Sequence, residues 1–182
     1  MNPSYWFFGA RLRILADGPQ TESRYDLIEG DFPAGTETPL HLHTQYDELI
    51  YVREGEFTVY TDAGTVVLTP GESVFVPRNT SHAVEASGRA GNRALTIASP
   101  AGFAALIRAV GIPDVTEGIP PGQPNDLGLF IELAAKSGDV IEGAPGARPV
   151  VKKSRDFLLK RLYDGVFGCS QLFVKQESTN NE

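Results

Sequence analysis

The sequence predicts a mostly β chain, an antiparallel sandwich or jelly roll over about residues 20–100, followed by α-helices. Short runs rich in Val, Ile, Thr, Tyr and Phe recur before residue 100, each bounded by Gly, Pro, Asn or Asp. That is the pattern of closely spaced strands and turns. After Pro100 the apolar residues fall at helical spacing instead. The length of 182 residues suits one domain with appendages, since a chain of this size buries about 70% of its unfolded surface.

In chain order, "MNPSYWFFGARLRIL" has no positive charge ahead of its aromatic cluster and no long apolar run. Neither a leader peptide nor a membrane helix is expected. The cluster Tyr5, Trp6, Phe7 and Phe8 is expected to be an oligomer contact or a strand packed across the β domain, rather than a ligand box. Strand signals follow in "YDLIEGDF", "ELIYVREGEFTVYT", "GTVVLTP", "ESVFVP", "HAVEA" and "RALTIASP", with Pro70 and Gly71 marking a turn. "AGFAALIRAVG" places Phe103, Leu106, Ile107 and Val110 on one helical face, ended by Gly111. "GIPDVTEGIPPGQPND" must be a loop. "DLGLFIELAAKSG" predicts a second helix with Asp126 as N-cap and Gly138 as stop. "GAPGARP" reads as a linker. Leu158, Leu162 and Val166 predict a third, basic helix over 151–166, before a tail expected to be disordered. Three segments result: 1–100 β with N-terminal strands, 101–150 a helical appendage, and 151–182 a C-terminal helix and tail.

Formal net charge is -7, with 23 acidic against 16 basic residues. The phosphate attraction that dominates nucleic-acid binding therefore has no obvious source. The single cysteine, Cys169, excludes an internal disulfide and cysteine-rich zinc frameworks. A reducing, cytoplasmic setting is expected.

Two of the three histidines sit in "HLHTQYDE". On a strand, His41 and His43 share a face while Leu42 points the other way. Glu48 has the wrong parity for that face, so a turn in "TQYD" must bring it back at the head of the next strand. His82 follows the turn "PRNTS". A lone histidine is usually a surface or core residue. Three imidazoles and a carboxylate from three strand ends make a mixed site for a divalent metal. Asp47 reads as a solvated turn residue, and Tyr46 as a side chain at the mouth of the site. Strand alternation predicts Ile50, Val52, Phe57, Val59, Phe75 and Val84 facing the same interior, an apolar wall suited to a flat hydrophobic molecule. A phosphosugar site would want inward cations, and only Arg78 lies beside a ligand turn.

These residues resemble the cupin superfamily. Gly35, His41, His43, Glu48 and Gly55 reproduce the spacing of its first motif, and Gly71, Pro77 and His82 that of the second, with 15 residues between. Asn79 stands where the family usually has glycine, a mild change because asparagine tolerates the left-handed conformation. Ala86 stands where the motif often ends in asparagine. The resemblance implies a jelly-roll barrel, or double-stranded β-helix, with C-terminal helices. It also implies one divalent ion per chain on His41, His43, Glu48 and His82, with Fe, Mn, Ni, Co, Cu and Zn all acceptable.

Within the superfamily, "PLHLHTQYDELIYVREGEFTVY" is similar to the single-domain quercetin dioxygenase-like group. That likeness implies a homodimeric dioxygenase acting on a flavonol or another enolisable aromatic small molecule, with Glu48 as both ligand and base. The alternative is a non-redox cupin, either a cyclase or isomerase of secondary metabolism or a small-molecule binding protein. No nucleic-acid or membrane partner is expected.

Overall fold

The computed structural model describes residues 2–89, 91–116 and 118–151. The expected basic helix 151–166 and the tail lie outside the described residues, Val151 apart.

Twelve strands and three helices are described. They run β1 (Ser4–Phe7), β2 (Ala10–Ala16), α1 (Gly18–Thr21), β3 (Asp26–Phe32), β4 (Leu40–His43), β5 (Asp47–Glu54) and β6 (Phe57–Thr61). They continue through β7 (Gly64–Leu68), β8 (Ser73–Val76), β9 (His82–Glu85), β10 (Asn92–Ser99), α2 (Phe103–Val110), β11 (Ile112–Pro113), α3 (Leu127–Lys136) and β12 (Asp139–Gly143). One antiparallel sheet has the order β11-β1-β2-β3-β10-β5-β8, the other β12-β4-β9-β6-β7. The two form a jelly-roll sandwich with no ladder closing them into a barrel among the described residues.

Alternating residues from both sheets fill the interior. Ile50, Val52, Phe57, Val59, Leu68, Val76, Ala86 and Ala94 form the central cluster, each large side chain contributing about 1.5–3 kcal/mol through removal from water. A second cluster joins Leu12, Ile14 and Ile28 to Ala104 and Ile107 of α2. A third joins α2 to α3 through Leu106, Val110, Phe130 and Ala134. The helical segments thus extend the core.

Two turn positions bear on the motif spacing. Gly55 has φ +76, and a Cβ there would lie 2.3 Å from Asn92 Oδ1, so only glycine serves. Asn79 has φ +63 and takes the left-handed conformation directly; its N–H donates to the His43 carbonyl at 2.6 Å.

Residues 101–150, read from sequence as two helices with a loop between them and a linker after, contain two short strands as well. "DVIEG", directly after the stop glycine Gly138, is β12, which pairs with β4 and belongs to a sheet. The loop between β11 and α3 is pinned at both ends. Asp114 accepts from Trp6 Nε1 at 3.3 Å and from Arg11 Nε at 2.6 Å. Asn125 donates to the Trp6 and Val110 carbonyls at 2.9 and 3.1 Å. No helix among the described residues is long and apolar enough to cross a membrane.

Asp26 ties the appendage to the sheet. It is 1% exposed, and it accepts from the N–H groups of Gly18, Gly102 and Ala104 at 2.9, 2.7 and 2.9 Å. Asp26→Ala strips the cap from α2 and strands buried donors, and is expected to cost roughly 2–4 kcal/mol. Urea unfolding would register this as a lower midpoint at an unchanged slope.

Candidate metal centre

The register of two strands brings the histidines together. His41 and His82 are Cα partners across β4 and β9, and His43 shares the inner face of β4 with His41. The ring centroids lie 4.8 Å apart for His41 and His43, 4.2 Å for His41 and His82, and 5.1 Å for His43 and His82. Glu48 arrives from the opposite sheet, on β5. Its Oε2 is 3.1 Å from His82 Nε2 and 3.5 Å from His43 Nε2.

Each imidazole is held by its other nitrogen. His41 Nδ1 donates to the Pro39 carbonyl at 2.8 Å and His82 Nδ1 to the Thr80 carbonyl at 2.9 Å. His43 Nδ1 donates to Asp139 Oδ1 at 2.8 Å. All three Nε2 atoms are thereby turned toward one another, and each histidine has a ligating nitrogen within 4.8 Å of the others'. His43 Nε2 is buried with no hydrogen-bond partner, a costly condition that a cation would relieve. Three oriented ring nitrogens beside a carboxylate fit a divalent ion by donor chemistry and by outer-sphere support alike.

The charges follow from these contacts. Burial opposes a charge on His43, but the hydrogen bond to Asp139 and the Glu48 carboxylate prevail and raise its pKa to about 9. Burial and the two neighbouring rings push His41 down to about 3. Burial would raise Glu48, yet its contacts with His43 and His82 outweigh that and hold it well below the usual carboxylate range. Tyr46 is 4% exposed and stacks on His43 with ring centroids 4.2 Å apart. Burial, with Asp139 and Glu48 nearby, pushes its phenol up, so it remains a neutral hydroxyl.

The cluster opens into a cavity of about 800 Å³. Of the wall residues expected from sequence, Tyr46, Ile50, Phe57 and Val84 line it together with His41, His43 and Glu48. Val52 and Val59 do not; both are fully buried in the central cluster behind it. Strand parity sets the side a residue faces, not its depth. Phe75 is a plain correction, being 59% exposed. Val74 and Val76 pair with Ile50 and Glu48 and point inward, so Phe75, opposite Leu49, must point out.

The N-terminal aromatics take the strand reading of the two expected from sequence, and they also line the cavity. They form a sheet strand and its following turn, and Trp6, Phe7 and Phe8 line the cavity with Phe103, Leu106 and Phe130. Phe7 meets Phe130 edge-on at 5.8 Å. No arginine or lysine lines the cavity among the described residues. Arg78 is taken up by Asp47 through bonds of 3.1 and 2.9 Å, and Arg148 by Glu37 at 3.0 Å. Asp139 is the site residue that sequence reasoning missed. The alternation in "DVIE" after a stop glycine was the signal for its strand.

Comparison with known proteins agrees with this geometry. Residues 29–98 match the family model described as a cupin domain. A 70-residue stretch is 33% identical to quercetin 2,3-dioxygenase of Bacillus subtilis (strain 168), covering 38% of this chain and 21% of that protein. Another, of 65 residues, is 29% identical to an uncharacterized protein of Methanocaldococcus jannaschii, covering 36% and 52%. The chain therefore spans about a fifth and about half the length of these two relatives. Among solved structures, KdgF from Halomonas sp. is similar in fold, with a TM-score of 0.51 and 21% identity over 58% of this chain and 91% of that one.

His41→Ala, His43→Ala and His82→Ala are each expected to lose most of the bound divalent metal, because a missing imidazole leaves the remaining donors short and mis-set. Elemental analysis of the purified variants checks this. The apparent affinity should also depend on pH. In the metal-free chain His43 holds its proton up to about pH 9, and a cation at Nε2 must displace it. Affinity should therefore rise about tenfold per pH unit for that one proton, levelling near pH 9, as read by competition with a chelator of known proton affinity.

Proposed function

Starting from the match of residues 29–98 to a cupin domain, we propose that this chain is a divalent-metal dioxygenase acting on a neutral, enolisable aromatic small molecule. The observation that carries the proposal is the placing of three converging imidazoles and Glu48 at the wall of a cavity lined largely with aromatic and aliphatic side chains and, among the described residues, without cationic ones. The Bacillus subtilis relative is a quercetin 2,3-dioxygenase, which supports this reading over the matched stretch.

His41, His43, His82 and Glu48 would hold the ion, with iron, manganese, nickel, cobalt, copper and zinc all compatible with that donor set. When bound, the ion supplies Lewis acidity that lowers the pKa of an oxygen acid placed against it, and a place for dioxygen. The protein's part is to bind, orient and move a proton. The apolar wall receives the ring system and excludes water, which strengthens every charge contact inside. Tyr46, stacked on His43 with its neutral hydroxyl bonded to Asp139, backs the ligand ring and keeps water from it. Glu48 is ionised and accepts the enol proton at its carboxylate. Its depressed pKa makes it a weak base, so the transfer runs only from an enol acidified by the ion. Dioxygen is the oxidant, and both its atoms pass into the cleaved product. Anionic sugars or sugar acids find no cation on this wall among the described residues.

The test uses metal-loaded protein with a flavonol in an oxygen electrode. Substrate bleaching and oxygen uptake should run in equal amounts, and Glu48→Gln should lose turnover by on the order of 100-fold or more while losing far less metal. Glutamine still offers an oxygen to the ion but cannot take the proton. A flat oxygen trace with iron, manganese, nickel, cobalt and copper, over flavonols, diketones and catechols, removes the oxygenase reading. Ligand binding with a spectral shift under those conditions would favour the non-redox cupin instead.

A further inference from the structure

The three histidines are not supported alike. His41 and His82 rest on carbonyls two residues earlier in the chain, Pro39 and Thr80, just ahead of their own strands. His43 rests on a side chain 96 residues further on, outside the matched residues 29–98. We infer that Asp139 is a positioning residue of the metal centre, fixing the ring of His43 and completing the charge around the ion, so that the segment after residue 100 is part of the site. This rests on the proposal that the histidines hold a divalent cation.

The placement is built from several directions. Asp139 is the Cα partner of His43 in the β12–β4 ladder, and Ile141 that of His41. The strand starts where Gly138 turns at φ +82, a position where a Cβ would meet Gln45 Cγ at 2.5 Å and Thr44 Oγ1 at 2.6 Å. The Gly138 carbonyl accepts from both the N–H and the hydroxyl of Thr44, at 2.8 and 2.7 Å. The backbone on either side of His43 and Asp139 is thus clamped, and the hydrogen bond between them has little room to move.

Two chemical arguments assign the role. Asp139 is 6% exposed, and a buried carboxylate costs several kcal/mol unless it is paired; a packing role would be filled at no such cost by valine or leucine. A carboxylate also accepts more strongly than a carbonyl, and so makes the far nitrogen of the ring a better donor to a cation. Neutral histidines leave a divalent ion with two uncompensated charges. Glu48 supplies one negative charge and Asp139 the second.

The test compares the full chain with its Asp139→Asn variant, which keeps shape and an acceptor oxygen but loses the charge. Val140→Ala, on the exposed side of β12, is the control. Zinc affinity by chelator competition should fall about 10–100-fold in Asp139→Asn and stay unchanged in Val140→Ala. The visible spectrum of the cobalt-loaded variant should shift, with the melting temperature of the metal-free protein close to wild type. Zinc affinity within twofold of wild type overturns the inference. So does weaker binding that accompanies a lower melting temperature while the cobalt spectrum is unaltered, which would mark a merely structural residue. If the wild type itself takes no zinc, cobalt or iron, the metal reading fails first and this inference with it. Where the variant does not fold, wild-type proton NMR reads the same bond: an exchange-protected Nδ1–H signal of His43 is expected, and its absence overturns the assignment.

Discussion

Three imidazoles and a carboxylate can share an apolar interior only if their ring nitrogens are accounted for, and that requirement shapes much of this structure. Each Nδ1 is spent outward on an oxygen, at Pro39, Thr80 and Asp139. Each Nε2 is then committed inward. The register of β4 against β9 and of β12 against β4 follows from it, because a slip of one residue would turn every ring to the other face. Electrostatics within the cluster is equally interdependent: what raises His43 lowers Glu48, and the burial they share makes both effects large.

Around that centre the chain spends its remaining elements on enclosure. β1 and its turn, α2 and α3 add little to the ladders near the histidines, but they bring Trp6, Phe7, Phe103, Leu106 and Phe130 over the open end of the sandwich. The cavity is therefore apolar where the helices cover it and polar at one pole, where His41, His43, Glu48 and Tyr46 meet.

Much of the centre was legible in the sequence because it is local. The alternation of His41 and His43, the turn before Glu48 and the turn before His82 are each contained in a few residues, and Asn79 at φ +63 behaves as its short amide side chain allows. Depth and long-range pairing were not legible. Phe75 was placed inward by counting alternation across a turn, where parity is reset. Val52 and Val59 share the inner face with Ile50 yet lie beyond the reach of the cavity. Asp139 was invisible for a different reason. Its meaning lies in a partner 96 residues away, and no local pattern distinguishes an aspartate after a stop glycine from an ordinary strand start. The aromatic N-terminus was recognised as a possible strand, but what it would cover depends on where α3 lands.

The loop between Asp114 and Asn125 is fastened at those two residues, and between them it contributes Pro120, Pro121, Gln123 and Pro124 to the cavity. No ladder hydrogen bond runs through this stretch, and surface loops change length at small thermodynamic cost. Its composition can drift without disturbing the imidazoles, the helices or the strands. A change of sequence there reshapes one wall of the cavity and leaves the ring nitrogens where they are.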